Sequence, residues 1–354
     1  MRVDPMKVVQ LITRLVRGGA QRVAIETAAF LGERGHDVEL WSGPETGPEG
    51  DLAPEARARG ISLRIFPDLV RAVSPWRDFR AVRTLAHALR ETQPHWLHTH
   101  SSKAGILGRE AAHRIGLARV AHTVHGFGFT PHTSGLTREI YVRLERRAAR
   151  QSRLLVFVSS ADLAEARARK ILVPDPPALA APRVVRFPPA VDAAAFASEE
   201  ELQARGESQR ARLGLGDRLV VGFLGRLAPQ KDPRAAVLSF RRMLELEPAS
   251  DAILLMVGDG PEAPALRGMI ERDSALSGRV VLAGLQSNPI EWLSAMDLFL
   301  LPSRWEGAPL ALIEAMATGR TVIASNLGGI SEYADDRCEA CLLQSAIPRA
   351  WHAP

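Results

Sequence analysis

The sequence predicts an α/β protein made of two doubly wound parallel-sheet domains, and three observations carry that reading. Short β-branched apolar runs alternate with helix-length segments, the pattern of parallel strands joined by right-handed crossovers. The alternation pauses at Pro174, Pro176, Pro177 and Pro182, followed by Phe187-Pro188-Pro189, and then restarts. The length, 354 residues, suits two domains at roughly 150 residues each. The expected domains are 1–190 and 191–354, with the boundary near residues 188–195.

In order, the first domain offers strands at Lys7–Thr13, Asp37–Ser42, Trp96–His100, Arg119–Val124 and Leu154–Ser159. Each is a short run rich in Val, Ile, Leu or Thr, as a buried parallel strand requires. Helical stretches such as Ala20–Arg34 and Trp76–Glu91 lie between them. The second domain repeats the scheme with Leu219–Leu224, Ala252–Val257, Val280–Ala283, Leu298–Leu301 and Thr321–Ser325. Ala193–Arg212 is polar and rich in Ala, Glu and Arg, and reads as an exposed helix. Thr137–Arg150 sets Ile140, Val142, Leu144 and Ala148 among five arginines, a pattern that suits either a packing helix or one lying on an anionic surface.

Composition narrows the functions. Apolar residues make up 46% and charged residues 24%, ordinary for a globular protein and wrong for a disordered chain. No apolar run is long enough for a transmembrane helix. The start, Met1 to Lys7, is too acidic and the run Val8–Ile12 too short for a secretory signal, which predicts a cytoplasmic protein. Cys338 and Cys341 sit together near the end, without the spread of a disulfide framework or a second pair of zinc ligands, and read as incidental. The charge is asymmetric: residues 1–190 sum to +11 and residues 191–354 to −6. A basic half suits phosphate-bearing or membrane-borne ligands, or reflects compositional drift toward Arg. Nucleic acid is disfavoured, because the basic residues are not interleaved with aromatics, which are only 5%. A nicotinamide dehydrogenase is disfavoured because no GxGxxG follows either first strand.

In open parallel sheets, ligands bind beyond the carboxyl ends of the strands, so those ends are where chemistry is sought. After the first strand, Arg17-Gly18-Gly19-Ala20 opens a helix, where close backbone approach and helix N–H groups favour phosphate. Ser101-Ser102-Lys103-Ala104-Gly105 follows the Trp96–His100 strand and offers hydroxyls and one of only four lysines at a helix start. Ser101 and Lys103 are thus weak candidates for an acceptor-side anion. His125-Gly126 ends the next strand and can set an imidazole against a ligand. In the second half, Gly225-Arg226 ends a strand and Lys231 follows five residues on, two cations able to grip a diphosphate. Gly258-Asp259-Gly260 is another close-approach loop, and Leu285 after Ala283-Gly284 could wall a base.

The strongest segment runs from Leu301 to Ala317. Glu306 and Glu314 are spaced E-x7-E, with Gly307-Ala308-Pro309-Leu310 between them. The spacing alone is uninformative, since Glu199 and Glu207 share it in a polar segment. Here, however, Glu306 follows a buried-type strand, Pro309 suits the first helical turn, and Glu314 lies in the helix. A diphosphate can rest on the N–H groups of the helix start, with a carboxylate on either side for sugar hydroxyls, provided Arg226 and Lys231 stand opposite.

These pieces, with Gly328-Gly329-Ile330, come in an order that resembles glycosyltransferase family four, the "group 1" transferases, from Lys7 to about Tyr333. The resemblance implies the GT-B fold, two Rossmann-like domains facing a cleft, with acceptor binding in the first domain and nucleotide-sugar binding in the second. The stretch His98-Thr99-His100-Ser101-Ser102-Lys103-Ala104-Gly105 with His125-Gly126-Phe127 resembles bacterial exopolysaccharide and lipopolysaccharide enzymes. By that resemblance Arg226 and Lys231 neutralise the leaving diphosphate, Glu306 holds hydroxyls of the transferred sugar and Glu314 binds ribose. Gly18, Gly19, Gly258, Leu285, Gly307, Ala308 and Leu310 cradle the nucleotide, and His125 touches the donor sugar. The implied reaction is retaining transfer of a hexose-type sugar, by default from a UDP-sugar, to a lipid-diphosphate-linked or saccharide acceptor. It needs no metal or other cofactor. Peripheral contact with an anionic membrane goes with it. Two alternatives stay open: a sugar epimerase or phosphorylase of the same fold, and a non-catalytic nucleotide-binding or scaffolding relative. The second alternative is prompted by the tail. Only 21 residues follow Tyr333, and Arg337–Pro354 shows no recognisable pattern, so the second domain reads as incomplete at its end.

Overall fold

A computed structural model of the chain describes residues 4–45, 50–130, 133–172, 182–189, 191, 196, 198–334 and 340–343. The chain divides into two compact units, Met1–Pro189 and Ala190–Pro354, each with its own sheet. Of the proline signals, Pro174, Pro176 and Pro177 lie outside the described residues.

Among the described residues the first unit holds seven parallel strands: β1 (Lys7–Ile12), β2 (Asp37–Ser42), β3 (Ser62–Ile65), β4 (Trp96–His100), β5 (Val120–Val124), β6 (Leu154–Phe157) and β7 (Arg183–Arg186). Their order is β3-β2-β1-β4-β5-β6-β7. Helices α1 (Gly19–Glu33) and α2 (Ala53–Ala58) cover one face, with Ala24, Ile25, Ala28 and Ala56 packed on Ile12 and Leu40. Helices α3 (Pro75–Thr92) and α4 (Ser102–Arg114) cover the other, where Leu85, Leu89, Leu107 and Ala111 meet Val9, Leu11 and Leu97. Helices α5 (Gly135–Arg150) and α6 (Ser160–Ala168) close a further core around Phe157, Val142 and Ala166. Strand alternation sorts these contacts: Ile12 faces α1 while Val9 and Leu11 face α4. β3 and β7 carried no clear apolar run because both are edge strands with mostly exposed side chains.

The second unit begins with α7 (Glu199–Leu213). It continues as β8 (Val220–Leu224), α8 (Pro233–Leu246), β9 (Ile253–Val257), α9 (Ala263–Arg272), β10 (Val280–Gly284) and α10 (Pro289–Ser294). Then come β11 (Leu298–Leu301), α11 (Leu310–Ala317), β12 (Thr321–Ser325), α12 (Gly328–Ser331) and β13 (Ala340–Leu343). The strand order β10-β9-β8-β11-β12-β13 repeats the winding of the first sheet. Val221, Phe223, Leu254 and Met256 face α8 and α9. Val220, Ile253, Leu255 and Phe299 face α10 and α11. Full burial of Phe223, Phe240 and Phe299 contributes about 1.5–3 kcal/mol each.

Two expectations need correction here. The polar segment read as an exposed helix forms α7, but Leu202, Gly206 and Gln209 are buried and the helix packs on α10. The backbone of Ser294 comes so close that a Cβ at Gly206 would sit 2.3 Å from its carbonyl oxygen. The tail is not wholly without pattern: Ala340–Leu343 pairs in parallel with β12. Four residues are too few for a periodic signal, and the open edge of β12 supplies the template. Cys341 lies in β13 as an exposed free thiol, and Cys338 falls outside the described residues.

Candidate active site

Each sheet reverses its winding between its first and fourth strand in sequence, β1 and β4 in one unit, β8 and β11 in the other. Helices leave to opposite faces there, opening a crevice at the strand ends. Gly18, Gly19, Ser101 and Lys103 follow β1 and β4, and Arg226, Lys231, Glu306, Gly307, Ala308 and Leu310 follow β8 and β11, whereas His125, Gly258 and Leu285 follow β5, β9 and β10.

In the second unit, Gly225 ends β8 with its N–H donating to the Val257 carbonyl at 2.9 Å. Gly258, after β9, has φ +134° and donates to the Gly284 carbonyl at 2.8 Å. A Cβ at Gly258 would lie 2.0 Å from the Gly225 carbonyl oxygen, so these loops close on each other only because no side chain intervenes. Leu285, just beyond, is exposed. Arg226 is half-buried at the mouth of this loop cluster.

Lys231 and Glu306 come from the loops after β8 and β11 and meet as an ion pair, Nζ to Oε1 2.7 Å. The carboxylate is the more enclosed partner, 5% exposed against 16% for the lysine side chain. Ser303 donates its hydroxyl to the same carboxylate oxygen at 2.6 Å, and the Gln230 amide lies 3.5 Å from the other. A second clamp lies alongside. Asp232 caps α8 in the left-handed region, φ 45°, accepting from Ala235 N, while its other oxygen accepts from Arg304 Nε at 2.7 Å. The Arg304 N–H donates back to the Gln230 carbonyl at 2.8 Å. The Gln230 amide also donates to the Trp305 carbonyl at 3.2 Å, so the two loops are tied across the switch point.

Gly307 and Ala308 lead into α11. Pro309 occupies the cap position, not the first turn as expected, and Leu310 begins the helix. No side chain caps this end, so its leading N–H groups form an anion-attracting terminus. Glu314, one turn in, is buried. The α12 backbone presses on the loop: a Cβ at Gly329 would lie 2.4 Å or less from the Glu306 and Gly307 carbonyl oxygens.

In the first unit, Gly18 caps α1 in extended backbone without a side-chain cap bond, and Gly19 starts the helix. Thr13 and Ser101 share a hydrogen bond of 2.7 Å across β1 and β4, and the Ala104 N–H donates to Thr13 Oγ1 at 3.1 Å. Ser101 has φ 63° and ψ 151°, a conformation costly for any residue with a Cβ. Lys103, read from sequence as an anion ligand, donates to the Ala72 carbonyl and pairs with Asp78 at 2.5 Å. Any anion it binds must compete with that carboxylate.

His125 sits directly after β5 and is one of four packed imidazoles. His100 Nδ1 lies 3.0 Å from His125 Nε2, and His100 Nε2 lies 2.7 Å from Gln10 Oε1. His98 stacks 4.2 Å from His100 and bonds Thr123, while His122 bonds Thr99. Burial pushes His98 down to about 4 and, with His98 beside it, His125 down to about 3. His100 and His122 are held well below the ordinary value by burial and by neighbouring charge. All four rings are neutral at physiological pH.

Gln230, Asp232, Ser303, Arg304, Gln10 and His100 were not anticipated. For Asp232 the signal was present: an Asp before Pro233 is a helix start. For His100, the His98-x-His100 alternation puts two imidazoles on one strand face.

Two Rossmann-like doubly wound units with the same strand winding are the architecture of the GT-B fold. Solved structures of that fold superimpose over nearly the whole chain. Anabaena Alr3699/HepE in complex with UDP-glucose matches with TM-score 0.74 at 19% identity, covering 96% of this chain and 86% of that one. WaaG, a glycosyltransferase involved in lipopolysaccharide biosynthesis, matches with TM-score 0.72 at 16% identity, covering 98% and 88%. Sequence relationships are closer. The family profile described as Glycosyltransferase Family 4 matches residues 17–192, and that described as Glycosyl transferases group 1 matches residues 218–353. The chain is 33% identical over 324 residues to the UDP-Gal:alpha-D-GlcNAc-diphosphoundecaprenol alpha-1,3-galactosyltransferase of Escherichia coli, covering 91% of this chain and 79% of the relative. It is 27% identical over 355 residues to a D-inositol 3-phosphate glycosyltransferase of Actinosynnema mirum, covering 94% and 82%. The chain belongs to the group 1 family of glycosyltransferases.

Proposed function

We propose that the chain transfers a hexose, galactose first among the candidates, from its UDP conjugate to a saccharide carried on a lipid diphosphate in cell-surface polysaccharide synthesis. The observation that carries this reading is the 33% identity, over nine-tenths of the chain, to a relative named for that donor and that acceptor class. The chemistry at the second switch point supports it. Arg226 and Lys231 neutralise the leaving diphosphate, whose oxygens rest on the N–H groups of Gly307, Ala308 and Leu310. Glu306 accepts from sugar hydroxyls and Glu314 from ribose. Gly258 and Leu285 flank the base. Gly18 and Gly19 offer backbone to phosphate, and His125 contacts the donor sugar. Ser101 and Lys103 are assigned to the acceptor.

The bond from the anomeric carbon to the diphosphate breaks, and the acceptor oxygen bonds to that carbon on the same face, its proton passing to the departing phosphate. Attack on the same face retains the configuration, and preorganised charge stabilises the oxocarbenium-like transition state without a metal. Glu306 holds Lys231. Donor binding supplies the lysine with phosphate and frees the carboxylate for hydroxyls.

Membrane contact belongs to the same proposal. On α5 the apolar residues divide: Val142 and Ala148 are buried, while Leu136, Ile140 and Leu144 form an exposed stripe at four-residue spacing. In the same helix layer α3 exposes Trp76 and Phe79, stacked at 6.3 Å, beside Arg77 and Arg83. Apolar stripes rimmed by arginine suit an anionic lipid surface. Among the described residues no helix is long and apolar enough to cross a membrane.

The test is transfer from UDP-, GDP- and ADP-sugars to an undecaprenyl-diphosphate-linked GlcNAc acceptor, with and without EDTA, beside Glu306→Ala. A retained-configuration product from a UDP-sugar, indifferent to EDTA and lost in the variant, is expected. Folded protein silent across the panel would overturn the transferase reading in favour of a non-catalytic relative.

A further inference from the structure

His100 lies behind His125 and ahead of Gln10, in a line running from the sheet interior to the end of β5. Gln10 and His100 are fully buried, and they meet across β1 and β4 at 2.7 Å. His100 in turn meets His125 at 3.0 Å, their rings inclined by 26°. No described residue bonds Nδ1 of His125.

The protons along this line follow from the acceptor at its end. Gln10 presents its carbonyl oxygen, which can only accept, so His100 carries its proton on Nε2. A neutral ring with that proton has a bare Nδ1, so His125 must donate from its own Nε2. His125 is then left with a lone pair on Nδ1. All three groups are uncharged, because burial holds both rings neutral. The Gln10 amide nitrogen is itself buried without a partner.

We infer that Gln10 and His100 are positioning residues that lock His125 in the Nε2–H tautomer, so that its Nδ1 accepts a hydrogen bond from a hydroxyl of the bound sugar. The inference rests on the transferase reading for its ligand, but not for its tautomer. A hydroxyl donating to Nδ1 is recognised, while a phosphate oxygen, which can only accept at neutral pH, is turned away from that atom. His125 thus selects the sugar end of the donor over its diphosphate.

The experiment uses the full chain labelled with 15N-histidine, whose long-range ring correlations report which nitrogen carries the proton. Signals are assigned with His125→Asn and His100→Asn. The expected result, without ligand, is Nε2–H at both His100 and His125. Gln10→Met removes the acceptor and lets both rings exchange between tautomers. With UDP-galactose and the lipid-linked acceptor, Gln10→Met loses about tenfold in kcat/KM, the worth of one well-placed hydrogen bond, and the Kd for free UDP stays unchanged. An Nδ1–H form of His125 in the wild type, or an unchanged tautomer in Gln10→Met, overturns the inference. Should Gln10→Met fail to fold, the wild-type measurement alone decides. Absence of any transfer alongside the expected tautomers refutes the transferase reading and leaves the proton arrangement standing.

Discussion

The Lys231–Glu306 pair sits in the proposed donor site, and its burial predicts an asymmetric response to mutation. At 2.7 Å and an effective dielectric of ~20, the bare Coulomb attraction is roughly 6 kcal/mol. Desolvation of both partners offsets most of it. Removing one partner leaves the other charge to bear its burial alone, and here the two are not equally buried. Glu306 is 5% exposed and Lys231 16%, so Lys231→Met strands the more enclosed charge and costs about 3 kcal/mol. Glu306→Gln leaves a lysine whose flexible stem can reach water, and costs about 1 kcal/mol. The double variant has no stranded charge and lies within about 1 kcal/mol of the wild type. For a unit of this size these losses move its thermal midpoint by about 6–12 °C, 2–4 °C and under 4 °C respectively. Urea titration followed by tryptophan fluorescence reads the same ranking as midpoint shifts at constant slope. All three variants lose sugar transfer, so the double variant is stable and inactive. A larger loss for Glu306→Gln than for Lys231→Met, or a double variant as unstable as the sum of the two, would refute the reasoning.

Other perturbations test neighbouring features. Gly258→Ala places a Cβ 2.0 Å from the Gly225 carbonyl oxygen at φ +134°; the strain costs about 1–3 kcal/mol, and calorimetry is expected to show weakened UDP binding, whereas unchanged stability and affinity would contradict the packing argument. His98, held down to about 4, refuses a proton that the unfolded chain accepts below its ordinary value, so stability falls as pH drops through that window. The loss totals about 3 kcal/mol. His98→Asn removes its share of the dependence of the urea midpoint on pH between 6.5 and 4, leaving the shares of His100, His122 and His125, and an unaltered slope would count against it. Arg109 and Glu145 form a buried pair at 2.8 Å joining α4 to α5. Arg109→Met alone costs about 3–5 kcal/mol and Arg109→Met with Glu145→Leu recovers most of that, as read by thermal unfolding of the first unit.

What the sequence disclosed, and what it withheld, divides along burial and distance. Central strands such as Ile253–Val257 are covered on both faces, so every residue is apolar and the run stands out. The edge strands Ser62–Ile65, Arg183–Arg186 and Ala340–Leu343 need no such run, and their existence depends on a neighbour offering hydrogen bonds. At the site, Glu306 and Lys231 were legible one at a time, each from its own strand end. That they bind each other was not, nor that Ser303 and Gln230 hold the carboxylate, because those contacts depend on how β8 and β11 lie side by side. His125 was legible as a ligand candidate. The line behind it joins Gln10, His100 and His125 from three strands, and no local pattern encodes such a line. Lys103 shows the converse: its rarity drew notice, but its partner Asp78 comes from another helix.

The separation of β8 and β11 in the chain has a consequence for biosynthesis. The Val220 N–H waits for the Asp297 carboxylate, 77 residues later. At about 5–20 residues per second, that partner emerges roughly 4–15 s after β8. Over that interval β8 and β9 can pair, but the edge destined for β11 stays open and apolar. The loop after β11, which carries Glu306, arrives later still. The nascent second unit therefore passes through a period in which it is sticky and has no site, and chaperone demand during synthesis should depend on how fast the ribosome crosses this stretch.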